Sequence, residues 1–349
     1  MRVFSYRNKK RAKAVLLVLA AAIAILLLFI LCRFIYLQRF LVYSDLEVKL
    51  DYEQDLQPEN QESPTIHPEQ FPLEIVPPEE VQQVGAAADS PMKPLSGYYI
   101  TTNMLLNLPD VEAALDALET PPETLLFEMK SIYGNFYYPS DLRGAITANA
   151  DTDGISDLIV RYQDAGTTYL AARIPSFTDN NFALDNQPSG LPLRSGALWM
   201  DENNCYWLDP LAEDVQDYLI SIATELAEMG FDEIVFDGFR IPDSENIVYD
   251  SGELTREGAA AEAARILREA LEPLSIRISF GSDSAMVAKY TDRVYLTTDN
   301  GAAAAEMVAA VSEDLDDPHA QIVFQTASRD TRFDGYGILR PLIEGTSEE

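Results

Sequence analysis

The sequence predicts an α/β fold built on a parallel sheet, and two observations carry that prediction. Between Trp207 and Pro242 a complete amphipathic helix is followed at once by a short β-rich run that ends in an acid, Asp237. From Gly97 onward, β-rich runs keep alternating with segments of helical period, the pattern of repeated βα units whose strands lie parallel.

Taken in order, 98–102 reads as the first strand and 110–118 as its helix, with Val111, Ala114, Leu115 and Leu118 on one face. Residues 124–130 form a second strand, 155–165 a helix and 168–174 a third strand. A long loop then runs to Trp207. In the stretch that follows, Asp209 is placed as an N-cap and Pro210 as the first helical residue, while Val215, Tyr218, Leu219, Ile222 and Leu226 recur at helical spacing. Gly230 stops this helix and 232–237 is the fourth strand. Beyond it, 255–271 is an Ala-rich helix with Thr255 as N-cap and Pro273 as its stop. Strands five to eight fall at 275–280, 293–298, 321–326 and 336–339.

The order of residues is more specific than helix plus strand. Trp207, Asp209-Pro210, the amphipathic helix, Gly230-Phe231-Asp232-Glu233-Ile234, Phe236-Asp237, Arg240 and Pro242 resemble the centre of a bacterial glycoside hydrolase domain family of unknown function. Tyr138-Pro139-Ser140 and Ala172-Arg173-Ile174 match further landmarks of that family. The resemblance implies a (β/α)8 TIM-type barrel, distantly related to α-amylase-type enzymes. It is good over 97–242 and poor after Asp283. Too few residues separate Thr326 from Tyr336 for a normal seventh helix, so the expected barrel is incomplete at strands seven and eight.

Side chains alternate faces along a strand, and in a barrel one parity points to the axis. Ile234 and Phe236 are apolar and belong against helices, which turns Val235 and Asp237 inward. The same reading sends Leu125, Phe127 and Met129 outward and Glu128 inward, and on strand three turns Arg173 inward. Glu128, Arg173 and Asp237 therefore share one face near the carboxyl ends of their strands, where barrel chemistry is located. Glycosidic hydrolysis needs two carboxylates, one giving a proton to the leaving oxygen and one attacking or activating water. Asp237 is the expected nucleophile or base. Glu128 is the candidate acid, although the family commonly has Asp there. Arg173 or Arg240 is expected to pair with Asp237. A purely structural alternative pairs Glu128 with Arg173 and Asp237 with Arg240. Trp199, Asp201 and Trp207 lie in the loop before the central helix and are candidates for lining a sugar cleft, since flat aromatic faces stack on sugar rings. Trp207 serves equally as a packing residue beside the helix start.

The N-terminus carries a separate message. Residues 1–13 hold Arg2, Arg7, Lys9, Lys10, Arg11 and Lys13 and no acid, and 14–32 is an unbroken apolar run. About 19 residues at 1.5 Å each span roughly 28 Å, enough for a bilayer core. The expectation is a cytoplasmic basic tail at 1–13, a single-pass transmembrane anchor at 14–36, an acidic Pro-rich disordered stalk at 37–96 and a barrel domain at 97–349 outside the plasma membrane. A cleaved signal peptide would have a shorter apolar region followed by small residues, whereas Arg33-Phe34-Ile35-Tyr36 follows here.

A formal net charge of −32 excludes nucleic acid as a partner. With only Cys32 and Cys205 in the chain, the exported part has no internal disulfide. No cofactor or metal is expected. The acids of 149–154 have the alternation of a calcium loop, but Val160 stands where a bidentate Glu is required. His67 and His319 are isolated, and 281–284 lacks the second glycine of a nucleophile elbow. The expected partners are a polysaccharide or envelope glycan and, through the N-terminal helix, the membrane. The rival reading is a catalytically degenerate carbohydrate-binding or envelope scaffold protein. Ser131, where the resemblance implies an acid after Lys130, and Thr326 and Ala327, where it implies a polar-aromatic end to strand seven, support it.

Overall fold

The computed structural model describes residues 41–44, 47–50 and 91–344. The chain divides into two units, 1–76 and 77–349. In the first, Leu41–Ser44 and Glu47–Leu50 pair as an antiparallel ladder. The anchor expected at 14–36, the basic tail and most of the stalk lie outside the described residues. Among the described residues no helix is long and apolar enough to cross a membrane.

The second unit is a closed barrel of eight parallel strands. In chain order they are β1 (Ser96–Ile100), β2 (Thr124–Glu128), β3 (Tyr169–Pro175), β4 (Glu233–Asp237), β5 (Arg277–Phe280), β6 (Val294–Thr297), β7 (Ile322–Gln325) and β8 (Gly337–Pro341). Each pairs with the next, and β8 returns to β1 through Ile338 opposite Ser96 and Leu339 opposite Gly97. The longer helices are α1 (Leu108–Asp116), α2 (Thr152–Ala165), α3 (Glu213–Glu228), α4 (Arg256–Leu271) and α5 (Gly301–Val311).

The closing edge corrects one expectation. Strands seven and eight are present and complete the barrel; what is missing is the helix between them, replaced by a single 3₁₀ turn at Thr331–Phe333. Phe333 is fully buried against Phe324 of β7, so one aromatic side chain does part of the covering that a helix face would do. Similarly, one turn at Ala285–Ala288 stands between β5 and β6. A parallel pair needs a crossover, yet backbone pairing sets the closure, and a short crossover suffices where strands are four or five residues long.

A second correction concerns the start of the central helix. α3 begins at Glu213 with Ala212 as N-cap, not at Asp209 and Pro210. The Asp209 carboxylate accepts instead from the Leu211 N–H and the Tyr249 hydroxyl, and so fixes the loop ahead of the helix. By contrast Thr255 caps α4 through the Gly258 N–H, and Asp151 caps α2 through the Gly154 N–H, which accounts for the calcium-like acids of that turn.

Strand parity divides the core as the alternation requires. Leu125, Phe127, Leu170, Ala172, Ile174, Ile234 and Phe236 belong to the cluster between strands and helices, whereas Leu126, Ala171, Val235, Tyr295, Val323 and Leu339 fill the axis. Below this apolar layer sits a polar one. Glu233 accepts from Arg293 Nη1 at 2.6 Å, from the Tyr169 hydroxyl at 2.9 Å and from Ser279 Oγ at 2.5 Å. The Glu233 and Arg293 side chains are 0% and 3% exposed. Burial disfavours the Arg293 charge, but Glu233, Tyr169 and Tyr295 outweigh it and raise its pKa. Burial and Glu233 likewise push the Tyr169 phenol well up. Above the apolar layer the inward positions become Glu128, Arg173 and Asp237.

Candidate active site

Three strands deliver the upper layer. Arg173 on β3 stands opposite Glu128 of β2 in the sheet register, and Asp237 ends β4 opposite Pro175. Arg173 turns its two terminal nitrogens to different acids: Nη1 donates to Glu128 Oε1, and Nη2 to Asp237 Oδ2 at 2.6 Å. The reach of one guanidinium fork therefore sets the two carboxylates within roughly 7 Å of each other, inside the spacing found in glycosidases. Glu128 Oε2 also accepts the Thr102 N–H at 2.9 Å. Exposure rises along the set, from 9% for Arg173 to 16% for Glu128 and 29% for Asp237. Asp237 is the member most open to a ligand.

Arg240 takes no part in this pairing. Gly238 has φ of +60°, a left-handed turn that ends strand parity and carries the chain out of the sheet. Arg240 lies over the Trp207 ring, 5.5 Å from its centroid. Trp207 is only 6% exposed, and its Nε1 donates to Asp201 Oδ2 at 2.9 Å. Asp201 Oδ1 accepts the Asn203 and Cys205 N–H groups, so this carboxylate organises its own loop. Trp199 stands edge-on to Trp207 at 6.3 Å and is half-buried.

Two adjoining cavities open above the three charged residues. One, of about 470 Å³, is lined by Thr102, Glu128, Tyr133, Tyr137, Arg173 and Asp237 among others. The other, of about 740 Å³, has Trp199, Asp201, Trp207, Asp237, Arg240 and Asp243 in its walls. All seven residues singled out from the sequence thus line one or the other. Among the described residues no group of three or more His, Cys, Asp and Glu side chains is placed to hold a metal ion.

Several contributors were not legible beforehand. Lys130 is buried in the first cavity's wall, with Nζ 2.8 Å from Asp179 Oδ2, and Tyr218 of α3 donates to the same oxygen at 2.9 Å. Lys130 shares the parity of Glu128, so extending the alternation by two residues would have found it. Asp179, 49 positions away, carries no such signal. The Tyr138-Pro139-Ser140 landmark is held by Glu225 of α3, which accepts from Tyr138 Oη, Ser140 Oγ and the Asp141 N–H. Glu225→Ala leaves the buried Tyr138 hydroxyl unpaired and is expected to cost about 1–3 kcal/mol, read as a lower denaturation midpoint.

Gly281, just past β5, presses on Asp237. A Cβ there would stand 2.3 Å from Asp237 Oδ1 and 3.1 Å from its Cα. Gly281→Ala is expected to push the carboxylate off Arg173, with a fall of roughly 100-fold or more in any activity that depends on its position. Turnover of that variant beside its melting temperature checks this. At the opposite rim, Asp299 accepts from Thr326 Oγ1 and from the Ala327 and Ser328 N–H groups; these bonds, Thr326 first, hold its carboxyl below the usual range.

Comparison with known proteins adds a family. A sequence family described as "Putative glycosyl hydrolase domain" matches residues 97–297. No curated protein matches the chain. Among solved structures, a hypothetical protein from Ruminiclostridium thermocellum is 25% identical, over 52% of this chain and 96% of its own, with a TM-score of 0.46. Aspergillus fumigatus Ega3, in complex with galactosamine, is 11% identical over 72% and 93%, also at 0.46. A Geobacillus stearothermophilus α-galactosidase in complex with raffinose is 15% identical over 76% of this chain and 40% of its own, at 0.52. At that identity the likeness to the α-galactosidase is one of fold.

Proposed function

The chain belongs to that glycosyl hydrolase domain family, and from this premise we propose that the barrel hydrolyses a glycosidic bond with Asp237 as nucleophile or base. The observation that carries the proposal is the position of Asp237. It closes β4, is the most exposed of the three charged groups, and borders both cavities. Arg173 orients it through Nη2. Glu128, on the other nitrogen, is the acid partner in a two-carboxylate mechanism. A specific observation favours a second role for Glu128: both its oxygens already accept hydrogen bonds, as an ionised carboxylate does, which suits positioning Arg173 better than giving up a proton.

The substrate is proposed to be a polysaccharide of neutral or amino sugars. Exposed Glu202 and Asp243 outnumber exposed Arg240 in the groove of a protein of net charge −32, so a polyanionic chain meets repulsion along its length. The basic tail and the apolar run further support placing the enzyme on the outer side of the plasma membrane, anchored by 14–36 and held off by the stalk. Release of reducing sugar from soluble glycans by the wild-type chain, beside Asp237→Asn and Glu128→Gln, tests the reading. If either variant hydrolyses as fast as wild type, the two-carboxylate scheme fails. If no glycan is cut but oligosaccharides bind, the barrel is a carbohydrate-binding module.

A further inference from the structure

The two cavities over the barrel mouth are arms of one groove, because Ile132, Pro175, Asn203 and Asp237 line both. An enzyme that trims chain ends needs a pocket closed just past the reacting sugar. Here lined space continues on each side of the carboxylate, and each arm falls in the range of a small-molecule site, about 300–1,000 Å³. Each arm also has an aromatic face of its own. Tyr133, 43% exposed, stands in the first, its hydroxyl donating to the Asn203 carbonyl at 3.3 Å. Trp199 stands in the second, backed by Trp207.

We propose that the groove takes the interior of a glycan chain, with Tyr133 and Trp199 stacking on sugar rings on opposite sides of Asp237, so that cleavage is internal. The proposal rests on the hydrolase reading above. Each cut consumes one water: its oxygen ends on the anomeric carbon and its proton on the departing sugar oxygen as the C–O bond breaks. Tyr133 and Trp199 are then specificity-determining residues, one for each arm.

The test uses the full-length chain on a soluble α-glucan, a β-glucan, a galactan and a partly de-N-acetylated amino-sugar polymer, with products sized over time. Internal cleavage gives a rapid fall in mean chain length, with fragments of six or more sugars appearing before mono- or disaccharides. Tyr133→Ala and Trp199→Ala each lower kcat/KM on long chains by roughly tenfold. Release of only mono- or disaccharides from one end would overturn the internal mode while leaving the hydrolase reading intact. If nothing is cut, calorimetry with oligosaccharides of two to six units decides: binding that tightens with length and weakens in both variants supports the two-armed groove and removes the hydrolase. Neither cutting nor length-dependent binding sinks both.

Discussion

Asp237→Asn is expected to lower turnover by about four orders of magnitude or more, with the melting temperature within about 3 °C of wild type. An amide can neither attack an anomeric carbon nor take a proton from water, so the chemistry goes with the substitution. Little stability should follow it. Asp237 is 29% exposed, its bond to Arg173 is screened by water, and Arg173 keeps Glu128 on its other nitrogen. Paired measurements of turnover and thermal unfolding separate the cases, since a structural acid would lower the melting temperature and cost no catalysis.

The largest effect on stability is expected at the other end of the axis. Arg293→Leu removes the arginine that forms an ion pair with Glu233 at 2.6 Å and leaves that carboxylate fully buried beside the Tyr169 and Ser279 hydroxyls. Stripping one partner from a buried pair typically costs about 3–5 kcal/mol, equivalent to a drop of roughly 10 °C in melting temperature for a domain of this size. The double variant Arg293→Leu with Glu233→Leu should recover much of that loss, because the orphaned carboxylate is then gone. A double variant as unstable as the single one would show that packing, and not the orphaned carboxylate, sets the cost.

The barrel was legible because its signal is local and repeated. Apolar alternation on β2, β3 and β4 placed Glu128, Arg173 and Asp237 on one face, and all three line the mouth. What the alternation does not encode is pairing across strands. Arg173 reaches both acids, and Arg240 neither, because position 240 has the opposite parity to Asp237 and the left-handed Gly238 carries the chain out of the sheet, setting Arg240 over Trp207. Cap chemistry was equally ambiguous at Asp209, whose carboxylate is drawn to Tyr249, a partner 40 residues ahead. At Thr255, with no such competitor, the same reasoning gave the true helix start. The closing edge misled for another reason: counting residues for a seventh helix assumes a helix is needed, whereas a 3₁₀ turn and one buried phenylalanine span the gap.

The stacked interior has a bearing on traffic. With the Glu233 and Arg293 network as a stopper at the base and an apolar plug above it, nothing passes along the axis of this barrel. Reactants and products share a single doorway. In the open-ended groove proposed above, a severed chain need not back out the way it came; each half can slide off sideways, and departure need not wait for a lid.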